Sequence, residues 1–329
     1  SNVEPCFRCV AEITKELGTG FQIHVSETAS EHKECIERHG MTPPQLLAKL
    51  GLFDYGGGGY HCVWMSDEDI ELFAKVAHEN GVPLIIDNTF ATPVNCRPFE
   101  WGCDIVTHST TKYMDGHGVA VGGCIVDSGK FDWSVGGRYP ELTTPDDSYH
   151  GVVYTESFGP AAYVTKARVQ MLRDMGNTMS PMAAFLLNLG LETLALRMER
   201  HCSNALAVAK FLESHECVDW VDYPLLPGNS QYELAQKYLS KGACGVISVG
   251  IKGGRAAATK FLDNLKLMNI VVHVADARSC ALHPASTTHR QLTEEQLNAC
   301  GVKPEQVRLS IGIENIEDIL ADLDQALRA

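Results

Sequence analysis

Two short apolar runs stand in the middle of the chain: Val82-Pro-Leu-Ile-Ile, which ends in Asp87-Asn-Thr89, and Ile105-Val-Thr-His, which ends in Ser109-Thr-Thr111-Lys112. Runs this short, bounded by polar residues, predict buried strands rather than helices. Ser66 with Asp67, Glu68 and Asp69 behind it predicts a helix start, because carboxylates in a first turn suit the helix dipole. Gly81 predicts its end, and Pro83 the start of the first strand. Gly122-Gly-Cys-Ile-Val-Asp127 predicts a further buried strand. Past Ser157 the apolar positions take helical spacing over 161–175, 183–194 and 193–215. Strands at 246–251 and 269–273 then alternate with helices at 255–265 and 316–327. Met171, Met175, Met179 and Met182 recur at helical spacing, which predicts packing. The alternation predicts an α/β protein, with no internal repeat and no low-complexity tract.

The ends of the two central strands carry the chemistry. Lys112 has the amine to form a Schiff base with the aldehyde of pyridoxal 5'-phosphate (PLP), and Asp87 the carboxylate to pair with a protonated pyridine nitrogen and keep the ring an electron sink. Thr89, Ser109 and Thr111 add hydroxyls, the last two within reach of a phosphate. Either motif alone reads as a loop cap or a solvated lysine; both at strand ends, in this order, point to PLP. Arg308, before Leu-Ser-Ile-Gly, offers a guanidinium able to grip a carboxylate in two-pronged fashion. His273, His283 and His289 lie near it in sequence, but Pro284 and the Ser/Thr run favour a loop over acid/base work.

From about Ile70 onward the chain resembles the Cys/Met-metabolism PLP-dependent enzymes, and within them the O-acetylhomoserine sulfhydrylase branch. The resemblance rests on 92–100 (Thr-Pro-Val-Asn-Cys-Arg-Pro-Phe-Glu), Lys112-Tyr-Met-Asp-Gly-His-Gly118, 190–199 (Gly-Leu-Glu-Thr-Leu-Ala-Leu-Arg-Met-Glu), His283-Pro-Ala-Ser-Thr-Thr-His289 and Val307-Arg308-Leu-Ser-Ile-Gly-Ile-Glu314. It implies a fold type I (aspartate aminotransferase-like) large domain, truncated here, with a smaller C-terminal α/β domain. It further implies a cytoplasmic homo-oligomer, dimer or tetramer, taking an amino-acid substrate. By that resemblance Lys112 holds PLP, Arg308 binds the substrate carboxylate with Ser279 beside it, and acetate is replaced at the γ carbon by sulfide or a thiol.

The front of the chain differs. Phe21-Gln-Ile-His24-Val-Ser-Glu27 and Tyr60-His61-Cys-Val-Trp resemble part of a metal-dependent amidohydrolase of the adenosine or chlorohydrolase deaminase type. That resemblance implies His24 as a zinc or iron ligand, Glu27 as acid/base and His61 as a substrate-orienting group. A catalytic zinc usually has three protein ligands, and no His-x-His occurs in the sequence. The expected organisation is therefore 1–69 amidohydrolase-like, 70–175 partial PLP-binding domain, and 176–329 C-terminal α/β domain. The phosphate-holding Ser-Gly-x-x-Ala turn and the ring-stacking tyrosine of the PLP family are not found, and Gly56–Gly59 reads as a flexible loop. A third expectation is a folded chain without catalysis.

Composition narrows the partners. A formal net charge of −14 argues against nucleic acid and anionic membranes, and no run is long enough to span a bilayer. The twelve cysteines are scattered, which predicts reduced, mostly buried thiols.

Overall fold

A computed structural model describes residues 4–17, 21–25, 35–41, 43–52, 57–61, 70–299 and 301–329. The expected helix start at Ser66 lies outside them; the helix is described over Ile70–Glu79 and ends at Gly81, whose φ is +66°. Three sheets are described. The first pairs β1 (Phe21–Val25) with β2 (Gly57–His61) in parallel. Gly57, Gly58 and Gly59 thus lie in a strand, not in the expected flexible loop. They pair with Phe21, Gln22 and Ile23.

The second sheet has the order β3 (Ile85–Asp87), β4 (Ile105–Ser109), β5 (Gly123–Asp127). β3 and β4 run parallel with Asp87 opposite Thr107, so the chemistry-bearing ends of both strands lie on one edge. Ligand sites in α/β sheets form at such carboxyl ends. The expectation that β3 and β5 are buried does not hold within this chain: Ile85 is 51% and Ile125 49% exposed. The expected packing role of the methionines fails likewise, since Met171, Met175 and Met182 are 59%, 62% and 65% exposed. Apolar periodicity marks a face that needs cover; it does not say which chain provides it.

The third sheet carries the main core. Its order is β6 (Val218–Asp222), β7 (Val246–Ile251), β10 (Gln306–Ser310), β9 (Cys280–Leu282) and β8 (Asn269–Ile270). The strand expected over 269–273 stops at Ile270, after which the chain turns toward Lys112. Ile247, Val249, Val307 and Leu309 are fully buried against Val208, Leu212, Phe261, Ile319 and Leu323 from three helices, Leu194–Glu213, Gly254–Asp263 and Ile316–Leu327. The last helix forms where the pattern places it. Asn315 caps it by accepting from the Glu317 N–H at 3.0 Å, and Ile319, Leu323 and Ala326 make the buried stripe. Cys96, Cys103, Cys202 and Cys280 are buried free thiols, whereas Cys9 is exposed. Among the described residues no helix is long and apolar enough to cross a membrane.

Leu309 sits at the centre of this core with no exposed surface. Leu309→Ala is expected to cost about 2–5 kcal/mol, the usual range for a buried leucine, read as a lower urea midpoint with an unchanged slope.

Candidate functional site

The turn that presents Lys112 is held from three directions. Gly116 N–H closes it on Lys112 O at 2.8 Å. Next to the lysine, Tyr113 is fully buried; its hydroxyl accepts the Gly245 N–H at 2.7 Å, tying the turn to the third sheet. The buried Arg197, from the Leu194–Glu213 helix, donates to Tyr113 O at 2.7 Å, Met114 O at 3.3 Å and Gly190 O at 2.7 Å. Its Nε–H reaches the Thr193 hydroxyl at 3.1 Å. Ala277 N–H donates to Gly116 O at 2.8 Å and brings a loop of the C-terminal part alongside. Sequence reasoning missed Arg197 and Tyr113. The available signal was an arginine on the buried face of an amphipathic helix, between Leu194 and Met198.

Lys112 itself is half-buried, and its ammonium makes no hydrogen bond or ion pair among the described residues. Burial, and then the nearby charge of Arg308, hold it below the ordinary lysine value, against a smaller opposing effect of Cys280. Arg308 lies within β10 rather than at the end of a connection. Its Nη2 donates to Val272 O at 2.8 Å and His273 O at 3.4 Å. The Arg308 charge therefore reaches Lys112, and neither cation forms an ion pair with a carboxylate among the described residues. The structure brings Lys112 and Arg308 within electrostatic reach of one another.

Asp87, at the exposed end of β3, accepts on Oδ1 from the Thr89 N–H at 2.9 Å and from the Thr89 hydroxyl. Its Oδ2 has no partner among the described residues. The Thr89 hydroxyl also accepts the Ser109 N–H at 2.8 Å. It is a strut fixing the Asp87 rotamer to the end of β4, and its hydroxyl proton is committed to Asp87. Other expected ligands are committed too. The Thr111 hydroxyl donates to Gly122 O at 3.3 Å and accepts the Gly122 N–H at 3.1 Å. Ser279 is buried; its hydroxyl donates to Glu314 Oε2 at 2.9 Å and accepts the Gly312 N–H at 2.8 Å. Both shape the loops around the cations instead of pointing outward. His283 bonds Pro304 O and Ser286 and is structural. His24 and His61 fall on neighbouring strands, His61 opposite Val25 in the register, and Glu27 lies outside the described residues. No cluster of three or more His, Cys, Asp or Glu able to hold a metal occurs among the described residues.

An unpaired, partly desolvated lysine, a carboxylate with one free oxygen across a parallel strand pair, and an arginine beside the lysine are the parts of a PLP site. The family profile described as Cys/Met metabolism PLP-dependent enzyme matches residues 62–328, and the chain belongs to that family. Among similar proteins, homocysteine synthase of Schizosaccharomyces pombe is 50% identical over 261 residues, 79% of this chain and 61% of that protein. O-acetyl-L-homoserine sulfhydrylase 1 of Thermus thermophilus is 48% identical over 260 residues, 79% of this chain and 62% of that protein. The chain thus spans about three-fifths of the length of the curated relatives it matches. A solved structure described as an O-acetylhomoserine (thiol)-lyase of Campylobacter jejuni, with N'-pyridoxyl-lysine-5'-monophosphate, superposes with TM-score 0.78 at 31% identity. It covers 98% of this chain and 81% of that chain. Cystathionine gamma synthase of Xanthomonas oryzae superposes with TM-score 0.63 at 33% identity, over 79% of this chain and 59% of that one. The fold is that of the fold type I PLP enzymes. A profile of the amidohydrolase family matches residues 2–110.

The residues present fit PLP at two of its ends. Lys112 suits the aldehyde, and the free Oδ2 of Asp87 suits the ring nitrogen. At the phosphate end the fit is partial, because the Thr111 hydroxyl is taken by Gly122.

Arg197→Met would leave the Tyr113 and Met114 carbonyls without their donor, at about 1–3 kcal/mol for each group left unsatisfied, while Gly190 O keeps the Thr193 N–H at 3.3 Å. The expected outcome is a lower melting temperature together with faster amine-reagent labelling of Lys112, read by peptide mass spectrometry.

Proposed function

We propose that this chain is a PLP-dependent enzyme of the cytoplasm that replaces the acetate of O-acetylhomoserine with sulfide or a thiol, giving homocysteine or methionine. The observation that carries the reading is the Lys112–Arg308 pair, two half-buried cations that form no ion pair among the described residues. Bound PLP supplies an electron sink for the substrate's α carbon. Lys112 would hold the cofactor through its amine and, once released, carry protons between the α and β carbons. A depressed lysine value suits both tasks, since the neutral amine is the reactive form. Asp87, oriented by Thr89, would keep the pyridine nitrogen protonated. Arg308 would pair with the substrate carboxylate, while Ser279 supports that place through Glu314. Ser109 is left as the hydroxyl nearest to a phosphate role. The organisation that goes with this reading is 1–69, 70–175 and 176–329.

The test is borohydride reduction after PLP addition. The label is expected on Lys112 alone and lost in Lys112→Ala. Labels spread over surface lysines and unchanged in the variant would overturn the assignment. Asp87→Asn is expected to slow homocysteine formation at least about tenfold, as one pKa unit of lost pairing amounts to about 1.4 kcal/mol.

The amidohydrolase match at residues 2–110 favours a second reading, zinc- or iron-dependent deamination through His24, Glu27 and His61. Its ligand set is short, so elemental analysis is expected to find substoichiometric metal. Stoichiometric metal lost in His24→Ala would reverse the order of the two readings.

The expected homo-oligomer, dimer or tetramer, has a surface to account for. Met182, Phe185 and Leu189 form an exposed stripe on the Pro181–Glu192 helix, near Met171 and Met175 in the chain. A patch of this kind marks an interaction site. Phe185→Glu is expected to lower the mass measured by sedimentation, and a monomeric parent protein would refute the assignment.

A further inference from the structure

His273 is the titratable group beside Lys112 that the mechanism above leaves unused. The chain past β8 brings it there. Its carbonyl accepts from Arg308 Nη2 at 3.4 Å and from the Cys280 thiol at 3.3 Å, so its backbone is fixed to the carboxylate-binding arginine. The two ring nitrogens differ. Nε2 is sealed from solvent and has no hydrogen-bond partner. Nδ1 is neither sealed nor bonded, and the side chain is 25% exposed. Asp276 Oδ2 lies 4.0 Å from Nε2, short of a hydrogen bond but within reach of a small ring rotation. The carboxylate is itself anchored by Arg278, through Nε at 3.0 Å and Nη2 at 3.0 Å. Gly118, six residues past Lys112, permits the approach: a Cβ there would stand 3.0 Å from Asp276 Oδ2 and 3.3 Å from His273 Nε2.

We propose that His273, oriented by Asp276, is the base that takes the proton of the incoming sulfur nucleophile at the Lys112 centre. The sealed Nε2 carries the hydrogen and turns it toward Asp276, leaving the Nδ1 lone pair at the open side. A thiol S–H bond breaks as the Nδ1–H bond forms. The sulfur electron pair makes the new C–S bond at the γ carbon as the β–γ π bond left by the departed acetate breaks toward the β carbon, which takes a proton from Lys112, and the imidazolium returns its own proton to solvent. An imidazole fixed by a carboxylate is a recurrent base–orienter arrangement. This step rests on the replacement reaction proposed above and names its second substrate as an un-ionised thiol.

The surroundings keep the ring neutral. Burial and the charge of Lys112, with a further contribution from Arg278, lower its value, against Asp276 and Asp115, which raise it. Arg308 and Cys280 are the other charged or titratable groups packed on this segment. The base is thus free above its depressed value and lost below it, so kcat/KM for the thiol is expected to fall as pH drops through a midpoint under the ordinary histidine value.

The experiment compares the parent holoenzyme with His273→Asn and Asp276→Asn, using hydrosulfide and methanethiol as acceptors. A base matters most to the acceptor that is less ionised, so His273→Asn is expected to slow methanethiol transfer tenfold or more and hydrosulfide transfer less, and to remove the acid limb. A merely structural loss would slow both equally and overturn the proposal. Nitrogen NMR of the free protein gives a readout without turnover. It is expected to show the Nε2–H tautomer, shifted in Asp276→Asn. An Nδ1–H tautomer, or a tautomer indifferent to Asp276, would also overturn it. A parent enzyme that forms neither homocysteine from hydrosulfide nor methionine from methanethiol would remove the replacement reaction itself, and this role with it.

Discussion

The grip of Arg197 on the backbone of the Lys112 turn is the constraint on which the site depends. A guanidinium buried with carbonyls as its hydrogen-bond partners is costly unless each donor is used. Here Tyr113 O, Met114 O, Gly190 O and the Thr193 hydroxyl use four of the five. No carboxylate is bonded to it, although Asp115 lies close enough to oppose the effect of burial on its charge. The bonds act together only when the helix and the turn sit in one arrangement. That lends the turn a rigidity its own hydrogen bonds would not supply. Tyr113 adds the second anchor by filling the core and closing on Gly245. Lys112 is therefore presented by a backbone held on both sides while its own side chain stays unbonded, which is what a reactive amine requires.

The places of Asp87 and Lys112 at the ends of β3 and β4 were legible because strand-end chemistry is local: Asp87 follows its apolar run directly and Lys112 follows its run by four positions. The helix over Ile316–Leu327 was legible for the same reason, its cap and stripe lying within one short segment. Arg197 was not, since its partners Tyr113 and Met114 lie more than eighty residues away. The hydroxyls of Thr111 and Ser279 misled because their residue type suits a ligand equally well, and only tertiary placement commits them to Gly122 and Glu314. The exposure of Ile85, Ile125 and the methionines escaped for a different reason. Periodicity reports which face is apolar; it carries nothing about whether that face is met by the same chain.

The front segment sets sequence and shape at odds. Its residues match an amidohydrolase profile, yet its described part supplies a parallel strand pair and no cluster able to hold a metal. Fold and chemistry separate readily, because a parallel β1–β2 pair needs only alternating contacts, whereas a metal site needs particular ligands at particular distances.

The electrostatics of the site then argue for what it receives. The chain is acidic overall, at −14, yet Lys112 and Arg308 lie within electrostatic reach, partly desolvated and with no ion pair to an acid among the described residues. Burial and the Arg308 charge lower Lys112's preference for its charged form, and burial lowers that of Arg308, an arrangement that costs stability in the free protein. Such a cost persists where an arriving ligand relieves it. A ligand bearing a carboxylate, a phosphate or both would remove the repulsion and restore hydrogen bonding to donors that the fold leaves unused. Stability and function are linked through that one pair. The same anion that satisfies the cations is stabilising because it binds the folded state alone, and burial and the Arg308 charge shift Lys112 toward the neutral amine, the form able to react.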